Sequence, residues 1–509
     1  MKRRALRPRA RIFLALFLLL ALLGIIHLVY APPPTPPTQA YSNANLVSKN
    51  YFLNASAIGP NPFPFCPSFG AGDVLGETYG PVTLSKSRLN LGSGARIQRL
   101  LQKALAGQPV TISVIGGSVS ACHGSGDDPI SPKCYPSKLF QWWNTIFPNP
   151  ASELTNGAMR RTNSGYYGFC SAHHLPDQTD LVILELDTDD PPDSSTVDSF
   201  ELLVRSILLR PDSPAILVLG HFSPQVHAAS AQSFNGPDFW HTTVAQFYDI
   251  PHISIKHALL PSYLEDPALI NKYYIDPVLA NPSGHDLLVD MLKAYFQSQI
   301  CVAWENVRAL SSPPPDSSTS ADGTPASPNN EGPGLFGGVG LRKGVPEPNG
   351  KAAGAPAAKN PGAQPAPNAG AHNLLSQANL FKIPPGRLNS TPRPGGKPYE
   401  EIAPFCVSAN DLINPLPPSL FYGSGWSAYH VPKDAGEVRA SSHYWFSTLP
   451  TSKLRIPIQI GAGDVGVYYL KEPIVSGGEG SSVECWVDDN YAGAKLIEGS
   501  GDVSEPVPT

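Results

Sequence analysis

The chain has 509 residues, 41% of them hydrophobic, which is enough for two ordinary domains with cores and a linker, and too much for one. It carries 36 Lys plus Arg against 41 Asp plus Glu, and six of the basic residues fall within the first eleven positions. Everything beyond them is therefore markedly acidic, which excludes a nucleic-acid binder.

The N-terminus, "MKRRALRPRAR", leads into the uncharged run "IFLALFLLLALLGIIHLVY", Ile12 to Tyr30. That length lets a helix cross a bilayer, and the basic flank places the short tail (1–11) in the cytoplasm and the rest in a lumen or outside. The run predicts an N-terminal transmembrane helix acting as a signal anchor. A cleaved signal peptide would have a shorter apolar region and a small-residue cleavage site, which "APPPTPPTQA" does not offer. The expected location is thus that of a single-pass type II membrane protein of the Golgi or another secretory compartment. The proline cluster begins a stem, placed over residues 31–60.

All seven cysteines follow the span, where disulfides can persist, and the odd count leaves at least one unpaired. Cys122 with Cys134, and Cys406 with Cys485, are pairs that each fall within one proposed domain, although sequence does not fix connectivity. No CxxC motif is present, so neither a metal site nor a cofactor is expected. Asn54 in "NAS" and Asn389 in "NST" are glycosylation acceptors.

Over residues 61–310 short apolar runs alternate with helical patterns. "VTISVIGG", "DLVILEL", "AILVLGHF" and "HISIKHA" predict buried strands. "RIQRLLQKALAG", "SKLFQWWNTIF", "SFELLVRSILLR" and "SGHDLLVDMLKAYFQSQI" place apolar residues three and four apart between them. This alternation implies an α/β fold, an α/β/α sandwich around a parallel sheet, with its ligand site past the carboxyl ends of the strands. Residues 311–377 are rich in Pro, Gly, Ala and Ser and read as a disordered linker. Residues 378–509 carry short β-type runs and no convincing helix, which predicts a small all-β, sandwich-like domain that stops soon after its last candidate strand.

The first strand runs into "IGGSVSACHG", which puts Ser118 on a tight glycine turn, where it is either an ordinary helix cap or an exposed nucleophile. "GGSVS" resembles the first block of the SGNH (GDSL-like) hydrolases and acyltransferases. "NGA" at Asn156 to Ala158 looks like the second block, "DLVILELDTDD" the third and "DPVLANPSGHDLLVD" the fifth, in the family's order and over about a third of the chain. The anchored layout with an added β-domain also resembles the fungal, capsule-associated SGNH-like proteins. The resemblance implies Ser118 as nucleophile, Asp276 as the carboxylate that orients the base, and an oxyanion hole from the N–H groups of Ser118 and Gly157 plus the side chain at Asp189. It also implies action on acyl esters of a glycan, as O-acetylesterase or O-acetyltransferase, with an acylated polysaccharide as partner.

Two positions depart from the pattern. The family's Asn is Asp189, which accepts where a donor is needed. The family's histidine falls on Leu279, which cannot move a proton. Either His285 serves as the base, or another histidine such as His221 or His123 does, or catalysis is lost and the chain binds glycan as an impaired relative or scaffold. If residue 279 still faces Ser118, Leu279→His should create or raise esterase activity. Among weaker features, adjacent His173 and His174 read as pocket-wall residues rather than metal ligands. The aromatics of "SLFYGSGWSAYH", Phe421, Tyr422, Trp426 and Tyr429, either pack a core or form a sugar-stacking platform.

Overall fold

The computed structural model describes residues 41–54, 59–228, 235–311, 381–389, 400–401, 404–416, 421–430, 442–460, 465–473 and 480–501. The predicted transmembrane helix and the linker beyond Ser311 lie outside them. Among the described residues no helix is long and apolar enough to cross a membrane.

Six strands, β1 (Arg88–Asn90), β2 (Thr111–Gly116), β3 (Glu153–Asn156), β4 (Leu181–Glu185), β5 (Ala215–Gly220) and β6 (His252–Ser254), form one sheet in the order β1-β6-β5-β4-β2-β3. β2 to β6 are parallel, and β1 closes one edge antiparallel to β6. The four runs read as strands in the sequence supply β2, β4, β5 and β6. The two short edge strands carry too little apolar pattern to stand out.

The central strands are buried along their whole length because they alternate between two cores. Leu181, Ile183, Leu217 and Leu219 join one cluster, while Val182, Leu184, Ile216 and Val218 join the other. Helices α1 (Val74–Lys86), α2 (Ala95–Leu105), α3 (Tyr135–Ile146), α8 (Lys256–Glu265) and α9 (Pro282–Ser311) cover the first face, α4 (Ser164–Cys170), α5 (Ser195–Leu208) and α7 (Pro237–Phe247) the second, and α6 (Pro224–Ala228) is a short turn after β5. The α/β/α layering read from the sequence is therefore the observed one.

From β2 the chain turns to β3 on one side, then returns past β2 to β4 and continues through β5 and β6 on the other. The connections leave β2 and β4 in opposite directions, so a crevice opens between their carboxyl ends, the place where open α/β sheets hold ligands.

Three expectations need correction. Residues 41–54, assigned to the stem, pack on the α/β domain: the Asn43 amide donates to the carbonyls of Asn149 and Ser152 at 3.2 and 2.7 Å, and Tyr51 joins the core. The disulfides are Cys66–Cys301, Cys122–Cys134 and Cys170–Cys406, with Cys485 free. Cys406 does not pair with Cys485 because its segment lies on the α/β domain. There Leu412 N–H donates to the His173 carbonyl at 3.0 Å, and Arg205 donates to the carbonyls of Pro384 and Gly386 at 3.0 and 2.9 Å. Finally, the described β-strands after residue 421 form four two-stranded ladders, β7 (Tyr422–Ser424) with β10 (Lys453–Arg455), β8 (Ser427–Tyr429) with β9 (Tyr444–Phe446), β11 (Glu472–Pro473) with β14 (Ser500–Gly501), and β12 (Ser482–Cys485) with β13 (Lys495–Glu498). Strands of two to four residues cannot fill two facing layers, so the sandwich expected from the β-type pattern is not seen among them.

Candidate active site

Ser118 sits two residues past β2, at the carboxyl end of the sheet, and is buried, 8% exposed, rather than the exposed nucleophile that the glycine turn allowed for. Its turn is closed by backbone bonds from Ala121 to Gly117 (2.9 Å), Cys122 to Val119 (3.0 Å) and His123 to Ser118 (3.1 Å). Cys122 takes the left-handed conformation (φ 63°) that ends the turn, and its disulfide to Cys134 ties it to the start of α3.

Asp189, in the loop after β4, meets this turn from the other side of the crevice. Its Oδ2 accepts the Ser118 N–H at 2.8 Å, and its Oδ1 accepts the Ser118 hydroxyl at 3.1 Å. Only glycine at position 117 permits this approach, since a Cβ there would stand 1.8 Å from Asp189 Oδ2. Burial pushes the Asp189 carboxyl above its ordinary value, against the bonds from Ser118 and Thr188 that favour the carboxylate.

A third contact comes from Arg161, whose backbone N–H donates to Ser118 Oγ at 3.0 Å. Arg161 is held at φ 54°, a region costly for a residue with a side chain, and this twist aims its N–H at the serine. Sequence reasoning missed it because a backbone donor leaves no trace in residue type.

The oxyanion donors expected from the sequence are committed elsewhere. The Gly157 N–H donates to the Val114 carbonyl at 2.9 Å, extending the β2–β3 ladder, so it does not face Ser118 as a free donor. The Ser118 N–H is occupied by Asp189, which as a carboxylate fills the place where an oxyanion would be held.

The general base fares likewise. His285, in the first turn of α9, is buried with its Nδ1 accepting the Tyr135 N–H at 3.2 Å and its ring stacked on Tyr135. Burial lowers it to about 3, too weak a base to deprotonate a serine. Asp276 is exposed, and its Oδ1 accepts the N–H groups of Val278 and Leu279 at 2.8 and 2.7 Å. It thereby wraps the turn that carries Leu279, which is 8% exposed and belongs to the first core cluster. No described bond joins Asp276 or His285 to Ser118 or to each other, so the predicted Ser118–His285–Asp276 triad is not assembled. His221 Nε2 meets the Val278 carbonyl at 3.0 Å, and His123 Nδ1 meets Asp127 at 2.8 Å, so neither shows a described side-chain bond to the serine.

Beneath the turn lies an acidic cluster that the sequence shows as "ELDTDD" without revealing its pairing. The Asp187 and Asp190 carboxylates flank His241 at 2.8 and 2.7 Å, all three buried. Burial works against the charged ring, but the two carboxylates carry His241 up to about 10, so it is a cation at neutral pH. Glu185 accepts from the Ser120 N–H and hydroxyl at 3.2 and 2.8 Å, and burial beside Asp187 raises it to about 8.

The weaker candidates resolve as packing. His173 bridges Asp411 and the Cys406 carbonyl at 2.9 and 3.1 Å, and His174 meets the Tyr166 hydroxyl at 2.9 Å. Among the described residues no group of His, Cys, Asp and Glu could hold a metal ion. Phe421 stacks on Trp445 and Tyr429 on Tyr444, ring against ring. The C-terminal aromatic that reaches the Ser118 site is instead Tyr468. Its hydroxyl donates to the Arg161 carbonyl at 2.9 Å, and its ring lies 5.0 Å from that of Tyr166. Asn389 is exposed, with its amide 3.1 Å from Asp198, and the side chain of Asn54 lies outside the described residues.

A mostly parallel α/β/α sheet with its serine on the glycine turn after β2 is the layering expected from the sequence's resemblance to the SGNH (GDSL-like) hydrolases. No protein-family model and no curated protein matches the sequence. Solved structures do. A two-domain esterase active on acetylated mannans, co-crystallised with mannopentaose, is 22% identical over 42% of this chain and 56% of its own, with TM-score 0.37. This chain thus spans little more than half of that esterase's length. A mutant acetyl-xylooligosaccharide esterase from Geobacillus is 16% identical over 36% of this chain and 94% of its own, with TM-score 0.29. A protein assigned as a GDSL-like lipase from Parabacteroides merdae is 11% identical over 37% of this chain and 96% of its own, with TM-score 0.31.

Proposed function

We propose that this chain is a glycan-directed SGNH-type protein of the secretory pathway, anchored by Ile12 to Tyr30, that receives an acyl-esterified polysaccharide at Ser118 and turns it over slowly or not at all. The observation that carries this reading is the pairing of Ser118 with Asp189. The N–H and hydroxyl of the serine are both engaged by a carboxylate, and among the described residues no histidine is seen bonded to it. The basic N-terminus before an uncharged apolar run, the two Asn-Xaa-Ser/Thr sequences and the three disulfides support a lumenal site. The acetylated mannans and xylooligosaccharides named for similar structures suggest the first glycans to try.

A second reading, an active O-acetylesterase or O-acetyltransferase, draws on the same bond. Asp189 Oδ1 is within reach of the Ser118 proton and, raised by burial, is a stronger base than an ordinary carboxylate. Hydrolysis and transfer share an acyl-enzyme and differ in what intercepts it, water or a sugar hydroxyl.

Binding of acetylated mannan and acetylated xylan to the wild type and to Ser118→Ala, together with labelling of Ser118 by a fluorophosphonate probe and acetate release, separates the two. Binding that survives Ser118→Ala, with slow labelling and no acetate, is the expected result. Rapid labelling with acetate release lost in Ser118→Ala establishes the second reading instead, and no binding to either glycan removes the first.

A further inference from the structure

The loop and helix between Arg161 and His174 are held from two directions. Arg161 N–H reaches Ser118 Oγ at 3.0 Å, while the rest of the segment is the landing place of the C-terminal part of the chain. Cys170 is bonded to Cys406, His173 bridges Asp411 and the Cys406 carbonyl, and the Tyr166 hydroxyl meets Ser408 at 2.6 Å. Tyr468 then returns over the same segment, donating to the Arg161 carbonyl at 2.9 Å and packing its ring beside the buried Tyr166. The two sides of a single residue, Arg161, are thus engaged by the serine and by the C-terminal region.

Tyr468 is not consumed by this packing, for it remains 46% exposed, and Val467, Tyr469 and Leu470 beside it are exposed as well. Nearer the serine the rim is polar: Arg160 pairs with Asp127 at 2.6 Å, and Asp127 also holds His123. An aromatic face bordered by charged groups suits a pyranose, whose C–H face packs on the ring's electron-rich face while its hydroxyls bond to the polar rim.

We propose that Tyr468 is a specificity-determining residue of the Ser118 site, an aromatic platform supplied by the C-terminal region that seats the pyranose ring carrying, or adjacent to, the acyl group. This rests on the glycan reading above and adds to it which residue selects the sugar. It also gives the C-terminal region a role, completion of the site on the α/β domain, with the Cys170–Cys406 bond fixing the platform in place.

The test measures binding of the full chain to acetylated mannan and acetylated xylan for the wild type, Tyr468→Ala, Tyr468→Phe and Tyr491→Ala, the last altering a tyrosine 63% exposed elsewhere in the C-terminal region. Melting temperature and a non-reducing peptide map confirm that each variant is folded with Cys170–Cys406 intact. Tyr468→Ala should weaken binding at least tenfold, Tyr468→Phe, which keeps the ring, by less than about threefold, and Tyr491→Ala not at all. Binding by a folded Tyr468→Ala equal to that of the wild type overturns this inference and leaves the glycan reading standing. A wild type that binds neither glycan removes the glycan reading and this inference with it.

Discussion

Asp189 grips Ser118 twice, Oδ2 on its backbone N–H at 2.8 Å and Oδ1 on its hydroxyl at 3.1 Å. A side chain that donated here would stabilise an oxyanion. A carboxylate repels one and withholds the serine's own N–H, and each lost donor is worth on the order of 3 kcal/mol in transition-state stabilisation.

Asp189→Asn should therefore speed fluorophosphonate labelling of Ser118, because negative charge builds on the phosphoryl oxygen in the five-coordinate transition state, before fluoride leaves and the neutral serine phosphonate ester forms. A rise of roughly tenfold or more in the labelling rate is expected, followed by mass spectrometry at Ser118. An unchanged or slower rate would mean that Asp189 supports the serine rather than suppressing it.

Glu185 gives a prediction about pH. Its carboxyl is raised by burial to about 8, so the folded state keeps a proton that the unfolded chain releases near 4.5. The stability this gives is fully present below pH 4.5 and is lost as pH rises toward 8, at roughly 1.4 kcal/mol per pH unit at most. His241, raised to about 10 between its two carboxylates, acts with the same sign, its contribution being lost between pH 6.5 and 10. Glu185→Gln keeps the shape and removes the titration, so it should flatten the fall in melting temperature between pH 5 and 8. Parallel melting curves for wild type and variant across that window would refute it.

The attachment of the C-terminal region can be tested at Arg205. Its guanidinium is buried, pairs with Glu401 and donates to the carbonyls of Pro384 and Gly386 at 3.0 and 2.9 Å. Arg205→Leu leaves those carbonyls and the Glu401 carboxylate without this donor and should cost about 3 kcal/mol in urea unfolding. Arg205→Lys, which keeps the charge but loses the forked geometry, should fall between. A loss below about 1 kcal/mol for Arg205→Leu would show that the attachment rests on the other contacts, Cys170–Cys406 and the bonds of His173 and Tyr166 among them.

The layering of the fold was legible because Val182, Leu184, Ile216 and Val218 belong to long apolar runs, which only a strand buried on both faces requires. Ser118 was legible from its glycines, since Gly117 is there to admit Asp189. What stayed hidden depends on partners distant in sequence. The Gly157 N–H is spent on Val114, the Arg161 N–H is aimed by a backbone twist, and Cys406 finds Cys170 across a separation of 236 residues. Tyr468 looked like one tyrosine among several in a β-type run, and its hydrogen bond to Arg161 and its ring contact with Tyr166 mark it.

The turn around Asp276 decides the last prediction. Asp276 Oδ1 holds the N–H groups of both Val278 and Leu279, and the hairpin is braced by Asn281, whose amide donates to the carbonyls of Lys272 and Tyr274 at 2.9 and 3.2 Å. Asn281 Oδ1 also accepts the N–H groups of Ser283 and Gly284 and so caps α9. Gly284 lets this hairpin close on the helix, since a Cβ there would stand 2.3 Å from the Tyr273 carbonyl oxygen. The turn that the resemblance aligns with the fifth block thus closes around a leucine, with the Asp276 carboxylate three residues away along it. An imidazole introduced at 279 would enter a largely apolar setting, at a cost of about 1–3 kcal/mol in stability, with Asp276 Oδ2 available among the described contacts to orient it. Leu279→His should then raise hydrolysis of p-nitrophenyl acetate by roughly a hundredfold over the wild type, and the double variant Leu279→His/Asp189→Asn should exceed it. The gain must vanish in Leu279→His/Ser118→Ala, and Leu279→Met, which fills the same apolar space without a base, should show none. A folded Leu279→His no faster than Leu279→Met would mean that position 279 does not face the serine, and the alignment of "DPVLANPSGH" with a catalytic block would fall with it.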